Sequence, residues 1–209
     1  MKKREFQKFA SEFLIPQLPG FAVKGHLIYE VPVGNLFRGF VFDSSGFSAK
    51  TFNPDAFVQP LYIPHDYITM TLGKRLLGVW EFQSGGDQAL ADRLLQSMRM
   101  EGLPLLQALG TPEKIAHDAE KLFSPKNHYV RQARAYSLVL IGQDREAIQR
   151  LDELLAMLKE MSVGIQKWAL KVHAEVASFR ETLLRDAEEA RGLLAQWTEQ
   201  TRQKLGLIV

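Results

Sequence analysis

Pro64-His65-Asp66-Tyr67 and Gly73-Lys74-Arg75 form a polar constellation set among apolar, extended stretches. An imidazole that titrates near neutral pH can serve as a general base, which makes His65 a candidate catalytic group, with Asp66 as the carboxylate beside it. Sequence neighbours rarely orient each other as the members of a triad do, and this argues against a His65–Asp66 dyad. Lys74 and Arg75 supply two cations for an anion or a protein partner. Asp43, closing an extended stretch, is a further carboxylate candidate. The remaining histidines, His26, His117, His128 and His173, make no HxH, HxxxH or HExxH spacing with His65 or each other, so no metal is expected. Zero cysteine removes thiolate nucleophiles, zinc-finger spacings and disulfides. The Gly-x-x-x-x-Gly-Lys-Ser/Thr, Gly-x-Gly-x-x-Gly and Gly-x-Ser-x-Gly patterns are absent as well, and no cofactor is expected.

These residues need elements to hold them. Ile68, Met70 and Leu72 alternate with Tyr67, Thr69 and Thr71, and Leu76, Gly78, Trp80 and Phe82 alternate with Leu77, Val79 and Glu81. The pattern predicts a hairpin over 67–82 with Gly73-Lys74 as its two-residue turn, which puts Lys74 and Arg75 at the tip. One long strand is the competing reading. Upstream, Phe21, Val23, Leu27, Tyr29 and Val31 share one face of a strand over 21–31. Pro32-Val33-Gly34-Asn35 turns the chain, a second strand covers 36–43, and Asp43-Ser44-Ser45-Gly46 turns it again. A third strand is expected over 47–52, broken at Asn53-Pro54-Asp55. The stretch 56–63 contains Pro60, which cannot donate to a ladder, and is an edge strand at best. Ahead of the sheet, Phe6, Phe9, Ala10, Phe13 and Leu14 make an amphipathic helix that Pro16 and Pro19-Gly20 end.

Composition divides the chain near Gln83-Ser84-Gly85-Gly86-Asp87. Of 21 aromatic residues 15 precede it, as do 6 of 9 prolines, while helix formers dominate the residues beyond it. The expected fold is therefore α+β: an N-terminal helix on an antiparallel sheet of four to five strands over 1–83, then an all-α subdomain over 87–209, with its own core or sharing the sheet's. Helices are expected at 88–100 (capped by Asp87, closed by Gly102 and Pro104), from Thr111-Pro112 to Phe123, at 127–141, at 144–160, and from Ile165 to about 203. The last carries Ala169, Val172, Val176, Phe179, Leu183, Ala187, Ala190, Leu194 and Trp197 in one stripe. As one rod it would reach about 57 Å, so it either breaks, Gly192 being the expected place, or pairs with another helix.

The run Ala133-x-Ala135-Tyr136-x-x-Val139-Leu140-x-Gly142-x-x-x-Glu146-Ala147-Ile148-x-x-Leu151 resembles part of a tetratricopeptide unit, over about residues 131–158. A second copy at a 34-residue offset is absent. The resemblance implies a helical hairpin with a peptide- or protein-binding surface.

Net charge is +2, all of it in residues 1–83, where 9 basic residues face 7 acidic ones; the rest balances 17 against 17. That is too little to call for nucleic acid or an anionic membrane. Lys24, His26, Arg38, Lys50 and Lys74 lie among Phe40, Phe42 and Phe52, but those rings also suit a core. No stretch approaches a membrane span, and Met1-Lys2-Lys3-Arg4 is not followed by an apolar signal region, so a cytoplasmic protein is expected. The leading expectation is a non-enzymatic interaction or adaptor protein, self-associating through 165–203 or binding another protein. The alternative is a small-molecule-binding protein or hydrolase with a cleft near His65, Asp66 and Arg75.

Overall fold

The computed structural model describes residues 2–44, 51–82, 88–162 and 167–207. The turn at 45–46, the start of the strand expected at 47–52, the boundary at 83–87 and Ile165 lie outside them. The fold is α+β, with an N-terminal helix, a six-stranded antiparallel sheet and a series of helices that ends in long ones. It divides into two compact units. One comprises residues 1–59 and 69–110, the other residues 60–68 and 111–209. Composition placed the helices after residue 87 together, but those up to residue 110 belong with the sheet, and a nine-residue segment from the strand-rich half belongs with the later helices.

In the sheet unit, α1 (Lys3–Phe9) runs into a π-helical turn, Ala10–Leu14, and a 3-10 turn, Ile15–Gln17. Its apolar stripe, Phe6, Phe9, Ala10 and Leu14, is buried. Phe6 stacks on Phe42 with 4.4 Å between ring centroids, and Phe9 meets Phe82 edge-on at 5.4 Å. The strands are β1 (Phe21–Lys24), β2 (Leu27–Glu30), β3 (Leu36–Ser44), β4 (Thr51–Pro60), β5 (Gly73–Arg75) and β6 (Trp80–Glu81). They follow the order β1-β2-β3-β4-β5, with β6 also on β4.

Three strand expectations are corrected. The single strand over 21–31 is a hairpin, with Lys24 opposite Leu27 and Gly25-His26 as its turn. Gly25 has φ of +63°, open to glycine at no steric penalty. Alternation runs straight through this turn, which conceals it. The break at Asn53-Pro54-Asp55 does not occur, and neither is β4 an edge. β4 runs ten residues between β3 and the β5/β6 pair. Pro54 is tolerated because it falls between the stretch paired with β6 (Thr51–Phe52) and that paired with β5 (Asp55–Phe57). Its carbonyl still accepts from the Leu76 N–H at 2.9 Å. Finally, the hairpin over 67–82 is absent. Gly73 and Lys74 are not a turn but part of β5, opposite Phe57 and Ala56 on β4.

The helix expected to close at Gly102 and Pro104 continues. α2 (Gln88–Ser97) passes through a second π turn, Met98–Gly102, into α3 (Leu103–Ala108). Both π turns precede a proline. The Ile15 N–H reaches the Ala10 carbonyl ahead of Pro16, and the Leu103 N–H reaches the Met98 carbonyl ahead of Pro104. A proline ring clashes with the carbonyl four residues back in an α-helix; widening the turn relieves the clash without stopping the chain.

In the helical unit, α4 (Pro112–Leu122) begins at Thr111, whose hydroxyl accepts from the Lys114 N–H at 3.3 Å. α5 (His128–Leu140) begins at Asn127 in the same way, at 2.9 Å from the Tyr129 N–H. α6 (Asp144–Ser162), α7 (Lys167–Arg185) and α8 (Ala187–Lys204) come next. α5 is the central helix, packing against α4, α6 and α8 and buried through Tyr129, Ala133, Tyr136, Ser137 and Val139. Tyr136 meets Phe179 of α7 at 4.5 Å and Trp197 of α8 at 5.8 Å. Tyr62, from the segment contributed by the other half of the sequence, bonds the Ser137 hydroxyl at 2.5 Å.

The stretch expected from Ile165 to 203 breaks at Asp186, not at Gly192. Asp186 caps α8, its carboxylate accepting from the Glu188 and Glu189 N–H groups at 2.9 and 3.1 Å. Its apolar stripe, including Val176, Phe179, Leu183, Ala190 and Leu194, is buried inside the unit.

Candidate functional site

His65 and Asp66 both lie in the segment that joins the helical unit. His65 is half-buried, with its ring 5.4 Å from Tyr67 and 5.3 Å from Tyr129, the second residue of α5. Burial lowers its pKa below the ordinary imidazole value; the Asp66 charge opposes that shift and the neighbouring His128 adds to it. Its Nε2 is shielded and has no hydrogen-bond partner among the described residues. His128, at the start of α5, lies 4.6 Å from the ring of Trp168 on α7, and burial lowers its pKa too.

Asp66 does not pair with the imidazole. Its carboxylate accepts from Lys204 Nζ at 2.7 Å, and this hydrogen bond, reinforced by charge, holds its pKa below the usual carboxylate value. The result is two groups of rings, Tyr67–His65–Tyr129 and His128–Trp168, which meet α5 at its adjacent first residues, His128 and Tyr129. Tyr67 is 65% exposed and Trp168 42% exposed, so each group opens to solvent through one ring. Lys171 lies near Asp66 and 3.8 Å from Glu175.

Lys74 and Arg75 belong to the other unit, on β5. Arg75 forms a two-pronged contact with Asp55 of β4, at 3.2 and 3.4 Å. Lys74 lies 3.3 Å from Glu101. Both cations therefore have protein carboxylates. Within the helical unit the Asp66 carboxylate is engaged by Lys204 and not by the His65 imidazole; within the sheet unit Arg75 is engaged by Asp55. Asp43 is exposed near the end of β3. The Phe40, Phe42 and Phe52 rings are at most 2% exposed and offer no faces on which bases could stack. Among the described residues, no group of three or more His, Asp or Glu side chains could hold a metal ion. No described helix is long and apolar enough to cross a membrane.

Tyr129, His128, Trp168 and Lys204 come from three different helices, and local sequence does not single them out. His128 could have been recognised only as the first residue after an Asn cap, and Trp168 only as an aromatic residue off the apolar stripe of α7. Comparison with protein-family models, with curated proteins and with solved structures finds no match.

Proposed function

We propose that this chain is a non-catalytic, cytoplasmic protein-interaction module whose helical unit binds an apolar segment of a partner protein at the ring cluster around His65. The observation that carries this reading is the pair of exposed aromatic side chains, Tyr67 and Trp168, each packed against a half-buried histidine of the helical unit. Tyrosine and tryptophan are over-represented among residues that dominate interface energies, since they bring large rigid area at little entropic penalty. The flanking charges favour an apolar partner. Lys204 and Lys171 are each matched by a carboxylate, Asp66 and Glu175, leaving little net field. The tetratricopeptide-like pattern over 131–158 supports a binding role for the same unit. The stripe on which self-association was expected to rest is spent inside the unit, so the proposed partner is another protein.

A photoreactive phenylalanine analogue in place of Tyr67 tests this, with the same analogue in place of Gln149 as control. A discrete adduct from position 67 is expected, one that persists in about 0.5 M salt and disappears in Trp168→Ala. Equal yields from both positions, or an adduct indifferent to Trp168→Ala, would overturn the reading.

A further inference from the structure

The sheet unit holds a cavity of about 460 Å³ whose walls are two helical segments. Glu12, Phe13, Pro16 and Gln17 form one wall; Gln88, Asp92, Leu95, Gln96, Arg99 and Met100 form the other. Each wall includes one of the two proline-linked π turns, which bring Glu12 and Phe13 from one side and Arg99 and Met100 from the other. A π turn places an extra residue in the turn and redirects its side chains, and such turns recur at functional sites.

The cavity has opposite charges at its two ends. Gln17 meets Arg99, while Ala10–Leu14 packs against Gln88–Ser97. The two segments therefore run in the same direction, and Glu12 falls toward Asp92, away from Arg99. Asp92 and Arg99 are seven residues apart on one helical path, about 10 Å along its axis. None of the three has an ionic partner among the described residues. Among the described residues Arg99 hydrogen-bonds the Gln17 carbonyl and side-chain oxygen, at 3.5 and 3.3 Å, and Asp92 accepts the Gln88 amide at 2.7 Å. Long contacts to neutral acceptors are readily exchanged for a carboxylate, which a guanidinium can hold through two parallel bonds.

We propose that this cavity binds a short zwitterionic peptide of two or three residues. Arg99 holds the terminal carboxylate, Glu12 and Asp92 hold the terminal ammonium, and Phe13, Leu95 and Met100 contact the side chains between. An extended chain advances about 3.3–3.6 Å per residue, so three residues span the distance between the charged ends. The volume lies within the range of small-ligand pockets. The proposal is independent of the ring cluster in the helical unit.

Calorimetry with trialanine, N-acetyl-trialanine and trialanine amide on the full chain provides the test. Trialanine is expected to bind saturably in low salt, with each blocked end weakening it at least tenfold. In Arg99→Gln, trialanine should weaken similarly and blocking its carboxylate should then make no further difference, while N-acetylation still does. Glu12→Gln with Asp92→Asn should show the converse. All three positions are exposed, so the variants should keep the circular dichroism of the parent. Equal affinity for free and blocked peptides, or no heat with trialanine, would overturn the proposal.

Discussion

His65 and His128 carry imidazoles whose protonation the fold opposes. Burial is the main cause at both, and at His65 the charge of His128 adds to it while Asp66 opposes it. Linkage sets the sign: a folded-state pKa below the unfolded value means that the unfolded chain binds more protons as the solution is acidified. Stability from these sites is fully present above the ordinary imidazole value of 6.5 and is lost as the pH falls below it. Asp66 and His128 are the groups whose charge acts on His65, and Asp66 is already ionised throughout this window because Lys204 holds its pKa down. The urea midpoint should therefore fall between about pH 7.5 and pH 5.5, well above the range where ordinary carboxylates titrate. His65→Gln should reduce that dependence to the part His128 supplies, and Asp66→Asn, by removing the opposing charge, should steepen it. A midpoint that is constant over this interval would contradict the account.

The elements make a different kind of claim, about close approach. At Gly102, in the π turn between α2 and α3, a Cβ would lie 2.2 Å from Cε1 of Phe40, a ring that is fully buried. Gly102→Ala must displace either the ring or the helical path, so it should destabilise by about 1–3 kcal/mol, as overpacked cores do. Chemical denaturation should show a lower midpoint with an unchanged slope. The same glycine explains why sequence patterning failed here. Gly102 and Pro104 look like a stop because two residues apart they usually are one; the widened turn and the need for a bare backbone over Phe40 are tertiary facts. Thr111-Pro112 and the α5–α6 hairpin at Gly142 were legible because their signals act through neighbouring backbone. The Gly25 turn was hidden by alternation in phase on both sides of it. Gly73 looked like a turn because nothing local reveals that β4 lies opposite. The ring cluster was beyond local reading for a related reason: His65 was identifiable by type, but Tyr129, His128 and Trp168 reach it only through the packing of α5 and α7.

The path of the chain between the units determines how the molecule can be divided. Residues 60–68 belong with the helices, and residues 69–110 return to the sheet unit before the remaining helices begin. The split suggested by composition, near residues 83–87, would therefore produce a C-terminal fragment flawed in two ways. It would lack Leu61, Tyr62 and Ile63, all buried, together with the Tyr62–Ser137 bond to the last turn of the central helix. It would also carry α2, α3 and the π turn between them, whose buried Leu90, Leu94, Met98 and Leu106 belong to the sheet unit. Removing a buried aromatic residue typically destabilises by about 3–5 kcal/mol, a large part of a domain's net stability. A fragment of residues 87–209 should thus be helical by circular dichroism yet melt broadly and bind a hydrophobic dye. A fragment starting at residue 111, given a peptide of residues 59–69 in trans, should sharpen its transition in proportion to peptide concentration, because a ligand that binds only the folded state stabilises it by mass action. The same peptide with Tyr62→Ala should fail to do so. A sharp, peptide-independent transition in the 111–209 fragment would show that the helical unit does not need the segment it borrows from the sheet half of the sequence.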